Sequence, residues 1–225
     1  MFYKKILYSL LIGILPFFGF SQTTKIGVSA GLNYPVQENN GELVGSVGSF
    51  FPNPMLGYQA GVFFEHNFSR FILRPQLMYY LSRGDYDFPN SSPVYKLKKF
   101  NFELLLGYEV VKNVAIMAGP AYQRIARNEF DVRGEDMSDN MKKMNLLFGV
   151  KFQFSKRFEA SLMYDWTLDS KGYNRPFLNY GGEGVSFYMD DARMNILTLN
   201  VHYAIFTKTS SRNAKVRRGN RGCYF

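Results

Sequence analysis

The stretch "FILRPQLMYYLSRG", residues 71–84, alternates along an extended chain, with Phe71, Leu73, Pro75, Leu77, Tyr79 and Leu81 on one side and Ile72, Arg74, Gln76, Met78 and Tyr80 on the other. Successive side chains of a strand point to opposite faces, so the fold turns on which face meets water. A soluble β-protein turns Leu73 and Leu77 inward and leaves Arg74 in solvent. A membrane barrel does the reverse, because hydrocarbon surrounds it and its polar groups collect inside.

The N-terminus bears on the choice. "MFYKK" is basic, "ILYSLLIGILPFFGF" is apolar, and Gly19 and Ser21 are small residues suited to cleavage before Gln22, the pattern of an export signal over residues 1–21. The apolar run is broken by Gly13 and Pro16 and is short against the about 20 residues of a spanning helix. No Cys stands directly after the cleavage site, and no later segment has the apolar length of a membrane helix. A chain of this kind enters a membrane as strands.

Composition narrows the class to one domain of barrel or sandwich type, with 17% aromatics and 20 glycines and neither an internal repeat nor a low-complexity linker. The single cysteine, Cys223, excludes an internal disulfide and a cysteine metal site. The formal charge of +9 falls to +1 once Lys4 and Lys5 of the leader and Lys208, Arg212, Lys215, Arg217, Arg218 and Arg221 of the tail are set aside. That near-neutral body, in an exported chain, argues against a nucleic-acid partner.

Period-2 alternation between turn residues predicts eight strands near 25–34, 57–66, 70–82, 95–108, 113–124, 143–154, 157–168 and 194–206. "NFS", "EVVK" and "SK" make tight connections, whereas 35–56, 83–94, 125–142 and 169–193 are long and rich in Gly, Asn, Asp and Pro. Short and long connections alternate. Antiparallel strands joined this way gather the short turns at one end and the long loops at the other, the asymmetry of an outer-membrane barrel.

One face carries Ile26, Val28, Leu32, Phe100, Phe102, Leu104, Phe148, Leu162, Leu199 and Val201, and no charge. The other carries Gly27, Ser29, Gly31, Asn33, Glu65, Arg74, Asn101, Glu103, Gly149, Lys151, Glu159, Ser161, Asp165, Asn200 and His202. Large residues on one side and small or ionisable ones on the other fit a barrel that is apolar outside. Tyr34, Tyr58, Tyr79, Tyr108, Tyr122, Tyr164, Trp166 and Tyr203 lie toward strand ends, where aromatic girdles belong. A soluble lipocalin-like barrel often carries Gly-x-Trp in its first strand, and "KIGVSAGLNY" has no Trp. The fold expected is an all-β, eight-stranded antiparallel up-and-down barrel over residues 22–206, with a basic tail over 207–225.

Over most of residues 25–206 the chain resembles the PorT-like, porin-type outer-membrane β-barrels of Bacteroidetes. The resemblance rests on "LRPQLMYYLSRGDY", "FELLLGYEV", "VAIMAGPAY" and the leader ending "FSQ". It implies an outer-membrane location and no single biochemical activity. It also implies that Pro75 and Pro120 are ordinary within such strands; because proline cannot donate a ladder hydrogen bond, local bulges are expected there.

The interior of an eight-stranded barrel is just wide enough for side chains, so Glu65, Arg74, Glu103, Lys151, Glu159 and Asp165 must pair or stay hydrated. Diagonal cross-strand pairs are expected between Lys151 and Glu159 and between Arg74 and Glu65. The reading favours a charged, side-chain-filled lumen; a narrow or gated path for ions or small solutes is the alternative, and a lipid-acting enzyme comes third. Ser161, Asp165 and His202 share the lumen of adjacent strands, but Asp165 and His202 belong near opposite ends, which spoils a catalytic triad. No enzyme activity, cofactor or metal is expected. The partners expected are outer-membrane lipid around a monomeric barrel, and a periplasmic or outer-membrane protein reached through the tail or through loop residues Phe50, Phe51, Phe88, Tyr173, Phe177 and Tyr180.

Overall fold

The alternation runs through the chain as strands. The computed structural model describes residues 22–36, 43–45, 48–87, 92, 94–130, 143–168, 187–189 and 195–210. They form β1 (Gln22–Pro35), β2 (Leu43–Gly45), β3 (Gly48–Phe50), β4 (Pro52–Phe68), β5 (Phe71–Tyr86), β6 (Val94–Val111), β7 (Val114–Phe130), β8 (Met144–Gln153), β9 (Phe158–Thr167), β10 (Phe187–Met189) and β11 (Ile196–Ser210). Among the described residues no helix is long and apolar enough to cross a membrane.

Eight strands close into a barrel, in wall order β1, β4, β5, β6, β7, β8, β9, β11 and back to β1. Every neighbouring pair is antiparallel, which leaves the barrel no free edge. Each of the eight predicted strands is present. The tight turns are short for local reasons: Ser69 (φ 57°) and Asn113 (φ 68°) adopt the left-handed conformation, which Asn tolerates better than most residues. In the third turn the Ser155 hydroxyl accepts from the backbone N–H of Phe158 at 3.0 Å and of Arg157 at 3.3 Å.

The opening stretch resolves as a membrane strand does. Arg74 and Met78 are 1% and 0% exposed, while Phe71 and Leu77 are 56% and 46% exposed. Around the wall the same parity holds: Val28, Phe102, Leu106, Ile116, Leu162 and Val201 are exposed, and Ser29, Asn101, Glu103, Asn145, Ser161 and Asn200 are buried. A contiguous apolar surface of this extent is the mark of a membrane-facing side.

Several expectations are corrected. The register runs unbroken past both prolines: Pro75 is paired with Leu104, and Pro120 with Leu146. On their other sides the ladder passes from Phe63↔Gln76 to His66↔Leu73, and from Glu103↔Ala121 to Leu106↔Ala118, without a shift. Proline thus interrupts pairing on one side only, and the register shifts lie elsewhere, at Ile26/Gly27, Met55/Tyr58, Lys98/Lys99 and Glu109/Val111. Segments expected as loops are partly strand: β4 begins at Pro52, and β2, β3 and β10 make a small separate sheet in the order β10, β2, β3. This sheet ties the first long connection to the last, because Tyr188 pairs with Val44. The final strand continues to Ser210, so Lys208, expected in the tail, is an exposed strand residue paired with Thr24.

Candidate functional site

The charged interior is built by five strands that reach toward one another near the short-turn end. Glu65 of β4 and Glu159 of β9 supply two carboxylates; Lys25 of β1, Arg74 of β5 and Lys151 of β8 supply three cations, all nearly fully buried. Arg74 Nη2 lies 2.7 Å from Glu65 Oε2, and Lys151 Nζ 2.7 Å from the same oxygen. Lys25 Nζ is 3.4 Å from Glu65 Oε1, and Lys151 Nζ is 3.6 Å from Glu159 Oε1. Lys25 and Arg74 also donate to Glu159. In wall order β4 stands four strands from β8, and β5 four from β9. The Lys151–Glu65 and Arg74–Glu159 pairs therefore span the barrel from side to side.

Small residues make room for this arrangement. A Cβ on Gly27 would lie 2.1 Å from the Tyr203 carbonyl oxygen and 2.7 Å from the Phe63 ring. With glycine there, Phe63 turns inward and its ring lies 4.4 Å from the Arg74 guanidinium carbon, a cation–π contact that helps hold the buried cation. Gly149 serves likewise, its absent Cβ leaving space beside the Leu162 carbonyl and Met163.

A second polar layer lies toward the long-loop end. Asp165 accepts from Lys99 Nζ at 2.7 Å, Asn145 Nδ2 at 2.6 Å and Asn101 Nδ2 at 3.2 Å. Lys99 also donates to Gln123 Oε1 at 3.0 Å and stands 5.0 Å from the Tyr80 ring centre. Glu103 accepts from the Tyr80 hydroxyl at 2.8 Å and from the Gln76 amide. One wall beside these layers is apolar, with Ile72, Leu105, Ala115, Met117, Ala121, Leu147 and Met163 buried together. Among the described buried residues the lumen thus holds Lys25, Arg74, Lys99 and Lys151 against Glu65, Glu103, Glu159 and Asp165, a balance of four and four. The short-turn layer has one cation in excess and the other layer one carboxylate, an arrangement in which each charge has a polar or opposite partner, as burial demands.

All six predicted lumen charges face inward. Lys151 is diagonal to Glu159 as expected, since Lys151 pairs with Ser161 and Gln153 with Glu159, but its closer partner is Glu65. Glu65 and Arg74 are bracketed by His66↔Leu73 and Phe63↔Gln76 and so face each other directly, not diagonally. Lys25 and Lys99 escaped the sequence reading. Parity could have found both, because Lys25 shares a face with Gly27 and Ser29, and Lys99 with Asn101 and Glu103.

His202 is buried with both ring nitrogens engaged, Nδ1 with the Ser29 hydroxyl at 2.7 Å and Nε2 with the Ser161 hydroxyl at 2.9 Å. Asp165 pairs with Ile196 across β9 and β11, six positions from His202, or about 20 Å along a strand. The three side chains do not form a triad. Among the described residues no group of three or more His, Cys, Asp or Glu side chains is placed to hold a metal. Of the loop candidates, Phe50 is half-buried in β3 and Phe51 is exposed beside it; Phe88, Tyr173, Phe177 and Tyr180 lie outside the described residues, as do residues 1–21, Arg212, Lys215, Arg217, Arg218 and Arg221.

The solved structure of Neisserial surface protein A is 14% identical, with 81% of this chain and 98% of that one covered at a TM-score of 0.43. An outer membrane channel from Pseudomonas putida F1 is 10% identical, with 82% and 95% covered at a TM-score of 0.34. No curated protein matches the chain significantly. The family model described as outer membrane protein beta-barrel domain matches residues 20–203, which with the closed, outwardly apolar barrel makes this chain a member of that family of outer-membrane proteins.

Proposed function

We propose that the protein is a structural or interaction barrel of the outer membrane, with a lumen closed by its own side chains and no catalytic role. The observation that carries this reading is the pair of salt bridges, Lys151–Glu65 and Arg74–Glu159, that join opposite walls through the middle of the barrel. A solute would have to break both, and separating one buried pair costs about 3–5 kcal/mol. The engagement of both His202 nitrogens by the Ser29 and Ser161 hydroxyls is consistent with a packing role for the ring.

In this reading residues 1–21 direct export and are removed, the short turns face the periplasm and the long connections face outward. The β10–β2–β3 sheet, built from the first and last long connections, would then lie on the outward side and, with Phe50 and Phe51, offers a protein partner a contact region. Our narrower assignment, to the PorT-like barrels, is supported by the resemblance of the motifs quoted above. Planar-bilayer recording tests the central point. The wild type should show no resolved conductance steps, while Glu65→Gln together with Glu159→Gln should produce openings, because three cations lose the carboxylates that hold them across the lumen. Steady wild-type conductance that the double substitution leaves unchanged would instead favour an open path.

A further inference from the structure

The two charged layers of the lumen differ in sign, and the one toward the long connections keeps a carboxylate over. Its one cation among the described buried residues is Lys99, whose ammonium is engaged by Asp165 Oδ2 at 2.7 Å, by Gln123 Oε1 at 3.0 Å and by the Tyr80 ring. Glu103 is left with uncharged partners: the Tyr80 hydroxyl at 2.8 Å, the Gln76 amide and Asn101 Nδ2 at 3.4 Å. It is 0% exposed, and a buried charge without an opposite one is costly. The extra cation of the other layer does not serve, since Lys25, Arg74 and Lys151 are all committed to Glu65 and Glu159.

Three amide oxygens of the same layer have no donor: Gln76 Oε1, Asn101 Oδ1 and Asn145 Oδ1, in residues 5%, 0% and 0% exposed. Their orientation is fixed by the acids. Gln76 Nε2 and Asn101 Nδ2 donate to Glu103, and Asn101 Nδ2 and Asn145 Nδ2 donate to Asp165. An ionised carboxylate only accepts, so turning any of these amides over would set oxygen against oxygen. Each orphan oxygen shares a carbon with the nitrogen that meets a carboxylate, about 2.3 Å from it. The three oxygens and the two acids therefore form one cluster, with Asn101 joining both acids.

A surplus negative charge and unpartnered oxygens in one buried cluster narrow the occupant. Water would donate to the amide oxygens and leave the charge; a proton on Glu103 would remove the charge and leave the oxygens of Asn101 and Asn145 unpartnered. A cation answers both. The ligating atoms are all oxygen, which suits a hard ion, and carbonyl oxygens are what replaces water around an alkali ion. The surplus of one carboxylate sets the charge at +1. We propose that the lumen layer toward the long connections binds one monovalent alkali cation between Glu103 and Asp165, with the amide oxygens of Gln76, Asn101 and Asn145 as further ligands. The ion is a fixed part of the lumen, so its test does not depend on whether the barrel conducts.

The test is urea unfolding of the full chain in phosphatidylcholine vesicles, in sodium, potassium, calcium or choline chloride at equal ionic strength. Sodium or potassium should stabilise the barrel relative to choline, which is too large for the site, raising the folded-to-unfolded ratio about tenfold at ten times the dissociation constant. Glu103→Gln, which removes the surplus charge at nearly constant shape, should abolish that difference, while Glu109→Gln, half-buried near the short turns, should keep it. Identical unfolding in choline and in both alkali salts would overturn the proposal, as would an alkali effect that survives Glu103→Gln. Stronger stabilisation by calcium than by either alkali ion would overturn the monovalent assignment. Should Glu103→Gln fail to fold, equilibrium dialysis of the wild type against thallium(I) in a non-ionic detergent decides: one ion per folded chain, displaced by excess potassium, supports the site, and no binding above the detergent blank overturns it.

Discussion

At the residue scale the protein is held by shared charges. Glu65 contacts Arg74, Lys151 and Lys25, so removing any one cation leaves the carboxylate with two others. The loss should be smaller than for an isolated buried pair, and it should depend on whether the carboxylate is still present. Lys151→Met alone should destabilise the barrel by about 1–3 kcal/mol, and the same change in a Glu65→Gln background by clearly less, because the group it leaves short of a partner is then uncharged. Urea unfolding of all four combinations in lipid vesicles measures the coupling. Additive effects would mean that Lys151 and Glu65 do not meet. Their pairing joins residues 86 positions apart, from strands that are not neighbours, and that is why the sequence suggested Lys151–Glu159 instead. Parity tells which way a side chain points, whereas the partner across a lumen depends on closure and on side-chain length.

At the element scale the strands differ in what each face can tolerate. Leu104 lies at the middle of β6, exposed at 40% and paired with Pro75; arginine there should cost about 2–4 kcal/mol of folding free energy in vesicles, the depth-dependent penalty of a lipid-facing cation. Arginine at exposed Ser49, outside the barrel wall, should cost close to nothing. Equal tolerance at both positions would remove Leu104 from the hydrocarbon. A second expectation concerns β11. A chain ended after Ser210 should fold and insert as the full chain does, read by the heat-dependent shift of the folded barrel on a gel, whereas ending it after Phe206 removes the ladder pairs of Thr207 to Ser210 with β1 and should lower the folding yield. Strand centres were legible because the alternation there is strict. The long-loop ends of β5 and β7 were not, since both run past the expected 82 and 124: Arg83 and Arg127 take outward places that are apolar lower down, which mimics the polar composition of a loop. The short β2, β3 and β10 carry too few residues for a period to show.

At the scale of the whole molecule the account is one of inversion, with charge inside and hydrocarbon-facing residues outside. Closure removes the sheet edges, the alternation of short and long connections makes the two ends unlike, and the balanced lumen lets eight buried charged side chains coexist in a narrow space. The small sheet that joins the first and last long connections gives one end a surface of its own. The chain contains a single tryptophan, Trp166, which is 40% exposed on the outward face of β9 and so reports on the inversion without any substitution. Its fluorescence in vesicles of lipids brominated along the acyl chain is the most direct measurement. The account predicts blue-shifted emission that brominated lipid quenches and aqueous iodide does not; emission quenched by iodide and indifferent to the brominated lipid would place that face in water and contradict it.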